Sequence, residues 1–313
     1  MISNLRMKGI TLVMLGAMLW GISGTVAQFL FQQNGFTPEW LVVVRLLASG
    51  ILLLFLGLIK KDKGIKEIWK NKKDRTNLIS FSILGMLGVQ YTYFAAIKHG
   101  NAATATILQY LSPVIITCYM AFRCKRLPKL NEVFAIGLAM IGVFFIITKG
   151  DIHSLSISEL ALFWGLASAF ASALYTLQPI ELLKKYSSTT IVGWGMLIGG
   201  IAFSFINPPW KFSGVVSIYS IVGVVFVVVF GTLIAFQCYL ESLKYILPTE
   251  ASTLGSVEPL SAAFLSVIWL KDPFGFMDFL GMTCIIVTII ILSYVKKVNK
   301  DEISENSLLD TKL

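Results

Sequence analysis

Apolar runs of about 20 residues, separated by short polar stretches, recur along nearly the whole chain. They predict ten helical spans, near residues 9–31, 38–59, 78–99, 101–122, 130–148, 157–180, 188–206, 215–240, 248–270 and 275–295. Roughly 20 apolar residues is the length an α-helix needs to cross the hydrocarbon core of a bilayer. The pattern therefore reads as an all-α polytopic membrane protein with no segment left over for a soluble domain. The apolar run of the first span is about 23 residues, longer than the roughly 7–15 of a cleavable leader, so it reads as a true helix. Residues 297–313 are polar, mixed in charge and expected to form a disordered tail.

Composition agrees with that reading. The chain is 56% hydrophobic, only 14% charged, and has a mean hydropathy of +0.78, whereas a soluble chain carries about a quarter charged residues. The net charge of +9 would suit a nucleic-acid binder if it were clustered without regard to the spans. Instead, 21 of the 26 Lys and Arg fall in the termini and loops of one side, chiefly "KKDKGIKEIWKNKKDRTN". The other side holds only Lys98, Lys149, Lys211 and Lys271. By the positive-inside rule the basic loops and both termini are cytoplasmic, in a cell-membrane protein. The basicity is an orientation signal, and no nucleic-acid partner is expected. Cys118, Cys124, Cys238 and Cys284 lack metal-ligand spacing and read as buried packing residues.

The ten spans contain an internal repeat with a period near 146 residues. "QYTYFAAIKHGNAATATILQYLSPV" (90–114) lies over "FQCYLESLKYILPTEASTLGSVEPL" (236–260), pairing Tyr93 with Tyr239, Leu108 with Leu254 and Pro113 with Pro259. "MLWGISG" (18–24) meets "LFWGLAS" (162–168), and Gly137 meets Gly281. The repeats are read as residues 1–150 and 151–296, five spans each. Five is odd, so the second copy enters the membrane from the opposite side. Such inverted repeats build many secondary transporters, which hold their cargo near the midplane where the halves meet.

Candidate chemistry concentrates in the ninth span. Glu258 falls eleven residues into it, and a charge at that depth costs several kcal/mol unless it faces protein or water. Pro259 has no N–H, so the carbonyl of Gly255 is expected to lose its helical donor, leaving a polar notch. In the other half Pro113 stands in the same place beside Ser112, without the acid. Glu258 can serve as a proton-responsive or ammonium-binding group; it can equally be a protonated structural carboxyl. Arg45, in "EWLVVVRLLASGILLL", can hold an anionic group, pair with Glu258, or snorkel to the outer interface. Gln90, Tyr93, Gln109, Tyr110, Tyr175, Gln178, Gln237 and Tyr239, with Gln28 and Tyr91, place uncharged donors and acceptors deep in several spans. Singly each can be an inter-helix hydrogen bond; together they suggest a cavity for a polar organic solute. Gly195 and Gly199, at GxxxG spacing, read as a close helix contact. Trp20 and Trp164, at matching points of the repeat, read as packing.

Enzyme readings find no support. The two His, His99 and His153, lie at loop edges, and HExxH, Walker and GxSxG motifs are all absent. No cofactor or metal site is expected. A channel would show rings of like charge or a repeated filter motif, and neither occurs.

"GAMLWGISG", "VVVRLLASGILLL", "ASTLGSVEPLSAAF" and the span with Gly137 and Gly142 resemble the EamA-type family of the drug/metabolite transporter superfamily, from about residue 8 to 295. That resemblance implies ten helices as two inverted repeats, cytoplasmic termini, and movement of small organic solutes such as amino acids, often coupled to an ion gradient. It also implies an acidic residue at the helix end after each proline. The second half supplies Asp272 in "LKDPFG", whereas the first has Lys125-Arg126. The expectation is a secondary carrier working by alternating access in the lipid bilayer, with a proton or other ion as candidate coupling partner. The alternative is a facilitative channel or pore for small metabolites.

Overall fold

The computed structural model describes residues 2–123, 127, 130–151, 156–242, 245–246 and 254–291. Lys125, Arg126, Lys244, Ala251, Ser252, Cys124, His153 and the 297–313 tail lie outside them. Every regular element among the described residues is helical. Seven helices are long and apolar enough to cross a membrane, and three further apolar helices are shorter.

Several helix starts were written by local chemistry. α1 (Ile2–Gln32) ends at a turn containing Gly35, whose φ of 68° suits a residue without Cβ. Thr37 then caps α2 (Pro38–Ile59), its hydroxyl accepting from Trp40 N, and Pro38 takes the first turn, where no N–H is needed. Asn71 caps α3 (Lys72–His99), and Asn101 caps α4, which runs as Ala102–Gln109 and resumes as Ser112–Arg123. α5 is Leu130–Thr148. Ser158 caps α6 (Glu159–Leu183), Ser187 caps α7 (Ser188–Ser204), and Ser217 makes a reciprocal capping box with Ser220 at the start of α8 (Ile218–Tyr239). α9 (Val257–Leu270) and α10 (Phe276–Ile291) complete the bundle.

Two corrections concern the breaks. In the described part of the ninth span, after a turn at Gly255 and Ser256, Glu258 and Pro259 occupy the first turn of α9 and not a helix interior. There the missing proline N–H costs nothing, because first-turn N–H groups have no intrahelical acceptor. Pro113 likewise falls in the first turn of the second α4 segment. Nor is the Gly255 carbonyl free, since it accepts from Glu258 N at 2.9 Å and from the Tyr110 hydroxyl at 2.7 Å.

α1 packs against α8 and α9, α6 against α3 and α4, α2 against α7, and α4 against α9. Glycines permit the closest of these approaches. A Cβ on Gly50 would sit 2.6 Å from Leu197 N between α2 and α7, and one on Gly21 would meet Ser261 Oγ between α1 and α9. Gly195 and Gly199 pack as their spacing suggests, against Phe81 and the Ser82 carbonyl of α3. α5 and α10 meet through Gly142 and Gly281 and through Thr288, whose hydroxyl donates to Ala135 O. Large apolar side chains such as Phe134, Phe163 and Phe264 are exposed around the bundle, as a lipid-facing surface requires. Cys118 is exposed as well, which corrects its reading as a buried packing residue.

Among the described residues three helices carry a π-turn, at Phe81–Leu87 in α3, Val229–Ile234 in α8 and Ser266–Leu270 at the end of α9. Those of α3 and α8 precede the polar residues assigned to the candidate cavity, and under the 146-residue offset they overlap.

The loops gather at two ends. At the base-poor end, Val215 N donates to Asn34 O at 2.8 Å, Trp40 Nε1 to Pro209 O, Ser158 to His99 O, and Lys149 pairs with Asp278 at 3.5 Å. At the base-rich end, Asp62 accepts from Ser187, Thr190 and Gly64 N, and Asp74 accepts from Lys185 and Tyr186. Burial pushes the Asp62 carboxyl up, but its three hydrogen bonds outweigh burial and hold it below the ordinary 3.8.

Candidate functional site

The second helix delivers Arg45 to the interior, so the outward, snorkelling reading does not hold: its side chain is 5% exposed. Nε donates to Thr232 Oγ1 at 2.8 Å, and the guanidinium lies over the Phe94 ring at 4.8 Å. Thr232 is oriented by its own donation to Val227 O at 2.8 Å, five residues back across the π-turn of α8. Ser49, one turn along α2 from Arg45, donates to Val228 O of the same bulge. The remaining four guanidinium hydrogens have no acceptor among the described residues. A donor set so planar and so little used suits a carboxylate or phosphate.

Glu258 is buried too, 9% exposed. Tyr110, at the break in α4, shares its one hydroxyl proton between Gly255 O at 2.7 Å and Glu258 Oε2 at 3.0 Å and thereby ties the break of α4 to that before α9. The other carboxyl oxygen has no partner among the described residues. Arg45 and Glu258 form no ion pair, yet each lies within coulombic reach of the other and of Tyr93. Tyr110 and Tyr239 feel the same carboxyl. Five of the residues singled out from sequence thus share one electrostatic neighbourhood: Arg45, Tyr93, Tyr110, Tyr239 and Glu258.

The others divide. Tyr175 joins through its ring, 5.6 Å from Phe81 and 6.4 Å from Phe236, and through its proximity to Tyr239. Trp20 packs on Phe236 and Tyr239, ring centroids 5.1 and 5.2 Å away. Tyr93 donates to Thr106, whose own proton goes to Ala102 O, so this hydroxyl is committed to packing. Gln109 donates to Ser168 at 2.7 Å and Tyr91 to Glu39, contacts between helices and away from the charged pair. Gln178 packs beside Gly85 with its Oε1 buried and unpartnered. Gln28 belongs to the base-poor end: fully buried, it accepts from Ala102 N at 2.7 Å and donates to Gln32 and to Asp272 at 2.7 Å. Asp272, the acid at the helix end, therefore ties α1 to the α9–α10 turn.

The hydroxyls of Tyr175 and Tyr239 and the amides of Gln90 and Gln237 make no hydrogen bond among the described residues. Sealing such groups in dry packing would cost roughly 1–3 kcal/mol each. None of them is among the fully enclosed orphan atoms of the described residues, which are those of Ser23, Trp69, Gln178 and Asn207. Unsatisfied donors and acceptors left accessible inside a bundle are what a solute pocket presents.

Sequence reasoning missed Thr232, Phe94 and Thr106. Thr232 and Phe94 hold Arg45, and Thr106 holds Tyr93. Thr104, Thr106 and Thr232 look like ordinary apolar-span threonines, and only the π-turn aims the last of them at Arg45. "VFGTLI" carries no signature of such a turn.

An all-helical bundle of membrane-length apolar helices, with a buried arginine and glutamate among polar side chains, defines a polytopic membrane protein with an internal polar site. The chain belongs to the EamA-like transporter family, whose model matches it twice, over residues 7–148 and 159–294. It is 40% identical over 289 residues to the uncharacterized inner membrane transporter YicL of Salmonella typhimurium, covering 91% of this chain and 95% of YicL. It is 28% identical to the uncharacterized transporter YetK of Bacillus subtilis, over 80% of this chain and 77% of YetK. A solved crystal structure of a protein 15% identical in sequence shares the fold, with a TM-score of 0.61 over 94% of this chain and 97% of its own.

Proposed function

We propose that the protein is a secondary transporter that moves small zwitterionic solutes, of the amino-acid kind, across the cell membrane by alternating access between two inverted five-helix halves. The observation that carries this is the unpaired state of two buried opposite charges. Among the described residues Arg45 keeps donors for a carboxylate and Glu258 keeps an oxygen for an ammonium group, and a zwitterion placed between them satisfies both. Charges desolvated without full pairing are costly, and a cargo that supplies the missing partners offsets that cost only while bound.

The helix packing supports the two-halves reading. Exchanging each helix with the one five places further along maps the α1–α8 and α1–α9 contacts onto α6–α3 and α6–α4, and leaves α2–α7 and α4–α9 in place. The double family match and the overlapping π-turns support it as well. Gathering the base-rich loops at one end fits cytoplasmic termini.

The test is uptake and exchange in proteoliposomes across a panel of zwitterionic, anionic and cationic solutes, wild type beside Glu258→Gln. Saturable flux with counter-exchange that vanishes in the variant is expected. Non-saturating flux without exchange would instead identify a pore.

A further inference from the structure

The segment joining α2 to α3 is sorted by charge. Between residues 60 and 75 it carries eight Lys and Arg and three acids. Two of the acids face the protein: Asp74 is buried against Lys185 (2.9 and 3.1 Å) and Tyr186 (2.9 Å), while Asp62 is held by Ser187, Thr190 and the backbone of Gly64. All eight basic side chains are exposed, and none makes a side-chain hydrogen bond or ion pair among the described residues. A solvated charge run has no need of a fixed shape, yet this one has it. Ile65 and Ile68 are 5% and 0% exposed, the Trp69 and Trp194 rings meet at 5.0 Å, and Trp194 Nε1 donates to Ile65 O at 3.1 Å.

The surroundings say what such a face meets. It links two membrane-length helices and so stands at a membrane surface. Beside it the flanks of those helices expose Phe55, Leu58, Ile59 and Ile79, each more than 40% accessible. Basic groups above, with bare apolar side chains directly below, match a phospholipid from its phosphate to its acyl chains.

We propose that this hairpin is a docking surface for anionic phospholipid. The headgroup phosphate sits among Lys60, Lys63, Lys66, Lys70 and their neighbours, and the acyl chains lie along Leu58, Ile59 and Ile79. Asp62 and Asp74 act as positioning residues: by turning inward they remove the negative charge that would neutralise the face and lock it to the α6–α7 link.

The protein in neutral detergent is titrated with phosphatidylglycerol or phosphatidylcholine of identical acyl chains. Bound lipid is counted by native mass spectrometry, and unfolding is followed by heating. Phosphatidylglycerol is expected to bind at least about tenfold more tightly and to raise the melting temperature. High salt should erase the preference. Lys66→Gln and Lys70→Gln, single changes at exposed positions, should each lower it by about threefold to fivefold, while Lys211→Gln at the other end of the bundle should leave it unchanged. Equal binding of the two lipids, a preference untouched by both lysine variants, or the same stabilisation from soluble glycerol phosphate would overturn the proposal. None of these readouts needs solute transport, so the result stands apart from the reading of the central site.

Discussion

The π-turns of α3 and α8 meet their neighbouring helices in opposite ways. α7 lies hard on the bulge of α3, where a Cβ added to Gly195 would come within 2.9 Å of Phe81 and one on Gly199 within 3.0 Å of the Ser82 carbonyl. α2 meets the bulge of α8 through polar side chains, Arg45 on Thr232 and Ser49 on Val228 O. One contact is closed by the absence of side chains, the other is bridged by hydrogen-bonding ones. The two junctions differ as a packed contact and a polar one. Close packing is unforgiving of added volume, so the glycine side fixes the frame, while a guanidinium with spare donors is free to answer a ligand.

Removing the charges should break the polar side most severely. Arg45→Ala or Glu258→Gln is expected to lower solute flux by roughly 10- to 150-fold, since charge-assisted contacts to a bound solute are worth roughly 1.5–3 kcal/mol each. Detergent-solubilised protein should remain folded by size-exclusion chromatography; aggregation instead of inactivity would assign the pair to structure. Thr232→Val keeps the shape but removes the acceptor that orients Arg45, and a roughly tenfold rise in KM with little change in maximal rate is expected. A lowered maximal rate with unchanged KM would point to the bulge itself.

On the packed side the effect should be on stability. Gly199→Ala forces a methyl against the Ser82 carbonyl and is expected to cost about 1–3 kcal/mol, seen as a lower unfolding midpoint with solute affinity unchanged. Ser49→Ala, the matching change at the polar junction, should cost only about 1 kcal/mol. Equal losses at the two positions would erase the contrast.

The smallest effect belongs to the base-rich end. Asp62 titrates below its ordinary 3.8 because the folded state hydrogen-bonds its charged form. Its contribution is therefore fully present above that pH and is lost as pH falls through the lower, folded value. The wild-type melting temperature should drop below about pH 4 more steeply than that of Asp62→Asn. Parallel curves would remove Asp62 from the latch.

Apolar run length placed α2 and α5 on the residues the pattern named, and α4, α6, α7 and α8 start within three residues of it, where Asn and Ser caps begin them; α9 starts nine residues later than the pattern has it, after the turn at Gly255. Hydrophobic run length and caps are local, so they can be read one segment at a time. Which polar side chains share a neighbourhood is not local. Gln109 and Tyr91 look no different from Gln237 and Tyr239 along the chain, yet the first two are spent on Ser168 and Glu39, and the side chains of the latter two make no hydrogen bond among the described residues. Thr232 became the partner of Arg45 only because a π-turn rotates it across 187 residues of sequence. Composition, spacing and charge asymmetry determined a membrane helical bundle with ionisable groups inside it. The meeting of helices distant in sequence decided which of those groups are satisfied, and that is a matter of distance and direction that no single segment contains.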